Sequence, residues 1–243
     1  MNGHKVKIRE SFSRSALEYD QHAFVQSSMM QKLMEGLKGN FKSMLDLGSG
    51  TGSLAYALSI KYPEAKMMGI DIAPGMVEYS RAKYSQTQIE FVQGDAENIQ
   101  YKKNAFDLVV SNASLQWMDS EKVFNEVSRV LCPKGEFHFT TFGPQTLCEL
   151  KTAGLSINQF PARQKIEDQL IKLFSNVRIT SDRVKQGHRD IYAFFMHLKK
   201  IGAQNPHKIR SRGLLTLKKL TSYFPPNERF QANYEIYYIK CKK

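Results

Sequence analysis

The 243-residue sequence predicts an α/β domain built on a doubly wound, mostly parallel sheet. Short apolar runs rich in strand formers recur at regular spacing, helix-patterned segments separate them, and a glycine cluster stands just past the first run. Strands alternating with helices bury both sheet faces, and a glycine-rich turn at a strand end marks where such sheets receive a ligand.

The elements follow in order. "FSRSALEYDQHAFVQ", residues 12–26, places Phe12, Ala16, Tyr19, Ala23 and Gln26 at helical spacings, within a helical segment over 1–40. "KSMLDLG", "AKMMGID", "QIEFVQGD", "FDLVVSN" and "GEFHFTTFG" read as five strands, Asp71 ending the second and Asp95 the third. Between them "SLAYALSIKY" puts Leu54, Ala57 and Leu58 on one helical face, and "EKVFNEVSRVL" does so with Phe124, Val127 and Leu131. After Phe142 a basic, mostly helical stretch runs to about Pro226, interrupted by the strand-like "NVRITSDRV", and "NYEIYYIKC" closes the chain as a final strand. The expected organisation is one domain over 1–243. It comprises a helical N-terminal segment (1–40), a ligand-binding core (41–145), a helical, basic substrate cap after the fifth strand (146–226), and a final strand (227–243) in an antiparallel edge hairpin.

Composition excludes several classes. No apolar run approaches the ~18 residues that span a bilayer, and "MNGHKVKIRESF" lacks the apolar stretch of a secretory signal, so the expectation is cytoplasmic. Cys132, Cys148 and Cys241 are odd in number and lack CxxC spacing, which argues against a disulfide framework or a zinc site. Cys132, in "LCPKG", is expected in the loop before the fifth strand rather than as a nucleophile. The formal charge of +12 is unevenly placed: residues 1–145 hold 16 basic and 16 acidic side chains, residues 146–243 hold 19 and 7. No acid lies between Asp190 and Glu228, while Lys199, Lys200, Lys208, Arg210, Arg212, Lys218 and Lys219 do. Such a field attracts an acidic partner.

"LDLGSGTG" carries glycines at 48, 50 and 52, with Asp46 two residues ahead. This spacing is not the G-x-G-x-x-G of dinucleotide folds, and no Gly-Lys-Ser/Thr follows as in a phosphate-binding loop. Asp71, roughly 20 residues beyond the last glycine, stands where an acid bridges a ribose diol. Asp95 is placed to accept from an adenine amino group, with the Ala96 N–H beside it.

Taken together, residues 40–145 resemble the class I S-adenosylmethionine-dependent methyltransferases, which are Rossmann-like. The resemblance implies S-adenosylmethionine as cofactor. It assigns the methionine part to Asp46, Gly48, Gly50 and Gly52, the ribose to Asp71, and adenine to Asp95 and Ala96, with Ile72 and Met76 as its apolar walls. "SNASLQWM", residues 111–118, follows the fourth strand and is placed beside the sulfonium. Asn112 would set amide or backbone groups there and Trp117 would wall the methyl pocket. Enzymes of this superfamily that methylate adenine or amide nitrogen carry Asn-Pro-Pro and an aromatic at that point, and this chain does not.

With the N-terminal segment, "FTTFGPQTLCEL" and "FMHLKKIGAQN", the resemblance extends over nearly the whole chain to the malonyl-[acyl-carrier protein] O-methyltransferase family of biotin synthesis. It implies methyl transfer to the free carboxylate of a malonyl thioester, which lets the fatty-acid machinery accept the disguised unit as a primer for pimelate. The residues agree independently. A carboxylate of pKa near ~4 is ionised at neutral pH and needs no general base, and no histidine, cysteine and acid cluster offers a base or metal. Tyr19 is the candidate orienting donor, Trp117 its companion, and His22 and Gln26 lie one and two turns on. The implied partner is an acidic acyl carrier protein met by the segment near Lys199, Lys200, Arg210 and Arg212, with no stable nucleic acid and no membrane. Methylation of a free small carboxylic acid, an RNA methyltransferase or basic nucleic-acid-binding module, and a non-catalytic cofactor-binding scaffold remain open alternatives.

Overall fold

The computed structural model describes residues 3–155, 157–203, 222–225 and 227–243. Two helices lead, α1 (Gly3–His22) and α2 (Phe24–Glu35). An alternating unit follows: β1 (Ser43–Leu47), α3 (Ser53–Lys61), β2 (Lys66–Asp71), α4 (Pro74–Lys83), β3 (Glu90–Gln93), β4 (Phe106–Asn112), α5 (Ser120–Val130) and β5 (Leu131–Phe142). The chain then forms α6 (Cys148–Thr152), α7 (Arg163–Leu170), β6 (Ser175–His188), α8 (Ile191–Lys200) and β7 (Phe230–Lys242).

The seven strands form one sheet in the order β3-β2-β1-β4-β5-β7-β6. The first five are parallel and the last two pair antiparallel, as the expected edge hairpin requires. Leu45, Leu108, Val109 and Val110 have no exposed area, because helices cover both faces of the parallel part. α5 turns Val123, Phe124, Val127 and Val130 inward, and Asp119 caps it by accepting from the Glu121 and Lys122 N–H groups. β6 and β7 stay paired from Asp182↔Ile236 out to His188↔Phe230, past Phe142 where β5 ends. The resulting ribbon stands beyond the carboxyl edge and, with α8, covers a second apolar cluster that includes Phe142, Phe194, Phe230 and Tyr234.

Several local expectations change. In α3 Ala55, not Ala57, joins Leu54 and Leu58 in the core, and Leu131 starts β5 instead of ending α5. Asp95 lies beyond β3, which ends at Gln93, in an isolated bridge with Asn98. Cys132 lies inside the start of β5, where the register against β4 jumps between Leu131 and Glu136 and Lys134 takes φ 67°. A bulge absorbs the Pro133 that a regular ladder would exclude. Trp117 ends a single 3-10 turn, Leu115–Trp117, just past β4. Within 146–226 the strand is longer than "NVRITSDRV", and Arg210 and Arg212 lie outside the described residues. No helix of the described residues is long and apolar enough to cross a membrane.

Candidate active site

Strand order reverses sequence direction between β1 and β4, and an open sheet splits there at its carboxyl edge. A cavity of about 690 Å³, partly open to solvent, occupies that place. Its lining comes from the turns after four strands: Gly48 and Gly50 after β1, Asp71 and Ile72 at β2, Gly94, Asp95 and Ala96 after β3, and Asn112, Ser114, Trp117 and Met118 after β4. Met76 of α4 adds to the wall, and α1 closes the last side with Lys5, Ile8, Phe12 and Tyr19. Ten of the twelve residues named from sequence thus converge: Tyr19, Gly48, Gly50, Asp71, Ile72, Met76, Asp95, Ala96, Asn112 and Trp117.

Asp46 and Gly52 do not line it. Asp46 is 1% exposed beneath the loop, where one carboxylate oxygen has no partner and the Ala55 N–H is a donor to the carboxylate. Burial, and then the charge of Asp71, push its pKa up to about 8. Gly52 has φ 84° at the start of α3, and a Cβ there would stand 2.7 Å from the Phe91 ring, so this glycine serves packing. Gly50, at φ 54°, would point a Cβ into open space, the situation of a backbone that a ligand can approach.

Asp71 is held by backbone donors. The Gly50 N–H gives to Oδ2 at 2.9 Å and the Ala73 N–H to Oδ1 at 2.8 Å, which ties the glycine loop to the end of β2. Burial raises its pKa, opposed by those N–H groups. Asp95 departs from a free acceptor: Lys5 Nζ donates to both its oxygens, at 2.9 and 2.7 Å, and lies 2.8 Å from Glu97. Burial presses the Lys5 pKa down, but these two acids outweigh it and leave it raised.

The "SNAS" segment is knitted to its neighbours. Ser111 and Ser114 hydroxyls donate to the Leu47 carbonyl at 2.8 and 3.0 Å, fixing β4 against the end of β1. Asn112 is spent rather than free: its Nδ2 donates to the Gln26 carbonyl at 2.9 Å, and its Oδ1 accepts from Thr140 at 2.7 Å. Ala113 takes φ 49°, the conformation that lets the turn leave the strand toward Trp117. Trp117 is half-buried and meets Phe12 edge to face at 5.5 Å, and Phe12 lies 6.5 Å from Tyr19. Burial, followed by the charges of Asp20 and Asp71, raises the Tyr19 pKa, so its hydroxyl keeps its proton. His22 is off the cavity, edge to face with His197 at 6.3 Å. Gln26 contributes its carbonyl, and its Oε1 is buried without a partner.

Sequence reasoning missed Lys5, Ile8, Phe12 as a wall, Ser114 and Met118. The signal for the first three was present: 5, 8, 12 and 19 repeat at i, i+3, i+7 and i+14, one stripe of a helix. No pattern marked Ser114, whose place depends on the close approach of Gly48, where a Cβ would meet it at 2.6 Å.

These residues fit S-adenosylmethionine. A half-buried acid, Asp71, ends β2 and a second, Asp95, follows β3, an open glycine cradle lies beside them, and apolar and aromatic side chains wall the same cavity. A family model described as "Methyltransferase domain" matches residues 45–139. The malonyl-[acyl-carrier protein] O-methyltransferase of Geobacter sulfurreducens is 32% identical, covering 86% of this chain and 85% of that one. That of Acetivibrio thermocellus is 33% identical, covering 98% and 94%. Among solved structures, the YcgJ protein from Bacillus subtilis shares the fold, with a TM-score of 0.65 at 15% identity over 89% of this chain and 98% of that one. The strand-end acids, the glycine cradle and the near full-length match together place this chain in the malonyl-[acyl-carrier protein] O-methyltransferase family, within the Rossmann-like S-adenosylmethionine-dependent methyltransferases.

Proposed function

We propose that the chain transfers a methyl group from S-adenosylmethionine to the free carboxylate of malonyl-[acyl-carrier protein], opening pimeloyl formation in biotin synthesis. The observation that carries this reading is the extent of the match. Relatives named for this activity align over 98% of the chain, well outside the shared methyltransferase core at 45–139. α1 and most of the chain after β5 lie outside that core yet within the match.

Asp71 would hold the ribose hydroxyls, Gly48 and Gly50 would let the methionine portion lie on the backbone, and Asp95 with Ala96 would bound the adenine, walled by Ile72 and Met76. Asp46 and Gly52 support the loop from beneath, and Asn112 sets the β4 turn. Bound S-adenosylmethionine supplies an electrophilic methyl on a sulfonium. The chain's own task is alignment and exclusion of water. Phe12 and Trp117 wall the cavity with aromatic rings, and the protonated Tyr19 hydroxyl would be a donor for the incoming carboxylate. No base is required, since the acceptor is already ionised. Among the described residues, no group of three or more histidines, cysteines or acids is arranged to hold a metal.

Residues 146–226 would form the substrate cap. Lys199 is exposed and Lys200 lies 4.0 Å from Glu18 of α1, beside the helix that walls the cavity. Together with Arg210 and Arg212 they would meet an acidic carrier protein. The reading is tested by offering labelled S-adenosylmethionine together with malonyl-carrier protein, malonyl-coenzyme A, free dicarboxylic and tricarboxylic acids, or RNA. Label on malonyl-carrier protein is the expected result. Label confined to a free acid or to RNA would replace the reading with that substrate class.

A further inference from the structure

Helix α1 crosses the carboxyl edge of the sheet and is tethered at both ends of the cavity. At its far end Asp20 accepts from Thr51 Oγ1 and from Lys83 Nζ, each at 2.6 Å. In the middle the Gly75 N–H reaches Ser13 Oγ at 3.3 Å, and a Cβ on Gly75 would stand 2.6 Å from the Ser13 carbonyl oxygen. At its start Lys5 reaches across to Asp95 and Glu97. Lys5 differs from the other tethers in that it also lines the cavity.

The cluster around Lys5 is well placed to act on a bound cofactor. The Lys5 side chain is 17% exposed, that of Glu97 13% and that of Asp95 36%, so water screens the pair with Glu97 less than the pair with Asp95. Glu97 is fixed from behind, because its Oε1 accepts the Asp119 N–H at the start of α5. Asp95, in contrast, is held among the described residues by Lys5 and by a 3.0 Å bond from the Glu97 N–H. Removing the ammonium would leave two neighbouring carboxylates in repulsion and release the first turns of α1 from the cavity rim.

We propose that Lys5 is a cofactor-positioning residue. It draws α1 down over the cavity and fixes the Asp95 carboxylate at the adenine end, so that S-adenosylmethionine and its demethylated product are retained. This rests on assigning the cavity to S-adenosylmethionine, with adenine at Asp95. The ammonium acts through Asp95 and α1 and takes no part in the methyl transfer.

The test compares the wild-type chain with Lys5→Met and Lys5→Arg. Calorimetry gives S-adenosylmethionine affinity, stopped-flow gives the dissociation rate of S-adenosylhomocysteine, and steady-state kinetics complete the set. Lys5→Met is expected to bind S-adenosylmethionine about tenfold more weakly, the effect of losing one charge-assisted contact, through faster dissociation. KM for S-adenosylmethionine should rise accordingly while kcat at saturation holds within about twofold, and Lys5→Arg should restore retention. Unchanged affinity and dissociation in a folded Lys5→Met chain would overturn the proposal alone. So would a fall in kcat at unchanged KM. A wild-type chain that bound no S-adenosylmethionine would overturn the cavity assignment, and the proposal with it.

Discussion

Burial makes the site of Asp46 a poor place for a charge. Its pKa near 8 exceeds the ordinary carboxylate value, so the folded chain holds a proton that the unfolded chain releases. The stability this group contributes is complete below the unfolded value and is lost as pH rises through about 8. Asp46→Asn should therefore raise Tm of the ligand-free chain at about pH 9 more than at about pH 6, followed by thermal unfolding across that range. An equal shift at both would mean that Asp46 is ionised in the fold. Asp71 stands differently, braced by the Gly50 and Ala73 N–H groups at the cavity wall. Asp71→Ala should weaken S-adenosylmethionine binding by about 1.5–3 kcal/mol in calorimetry, with the chain still folded. Tyr19→Phe removes one donor, so kcat should fall while cofactor affinity stays nearly level, and full activity on every carboxylate acceptor would remove Tyr19 from the chemistry. The cavity lining was legible where a glycine loop and acids follow strand ends, because an open sheet takes its ligand there, although Asp46 and Gly52 of the same pattern lie off the cavity. The helical stripe put Lys5 on the same face as Tyr19, but its ion-pair role was not legible, because its partner Asp95 lies 90 residues away and meets it only in the fold.

Strands and helices were legible where one physical demand dominated. "FDLVVSN" had to be buried on both faces, and β4 is. Boundaries failed where a local device outweighed propensity, as in the bulge that carries Cys132 into β5. The half-burial of Trp117 also lowers what its removal should cost, below the ~3–5 kcal/mol of a fully buried large ring. The join between the glycine loop and α3 is sharper. At Gly52 both the left-handed backbone and the Phe91 and Tyr84 rings exclude a side chain. Gly52→Ala should destabilise the chain by about 1–3 kcal/mol in denaturant unfolding, a cost of strain and overpacking that falls on the fold before the cavity. A neutral result would place the loop in a different conformation in solution.

Across the whole molecule the charge is unevenly divided. The half that carries the glycine loop and the strand-end acids is balanced, and the entire excess lies after residue 145. A cofactor needs no such field, whereas an acidic carrier protein would be steered by it. Reversing Lys199, Lys200, Arg210 and Arg212 to Glu should lower kcat/KM for malonyl-carrier protein steeply at low salt and much less at high salt. Malonyl-coenzyme A, lacking the protein surface, should lose less, and equal losses on both would assign these residues to the pocket or the fold. The fold and the chemistry meet in one product, and its mass tests the account most directly. After incubation with S-adenosylmethionine, malonyl-carrier protein should gain one methyl group on the malonyl arm, removable by ester hydrolysis. An unchanged mass, or a methyl that resists ester hydrolysis, would contradict carboxyl methylation by this chain.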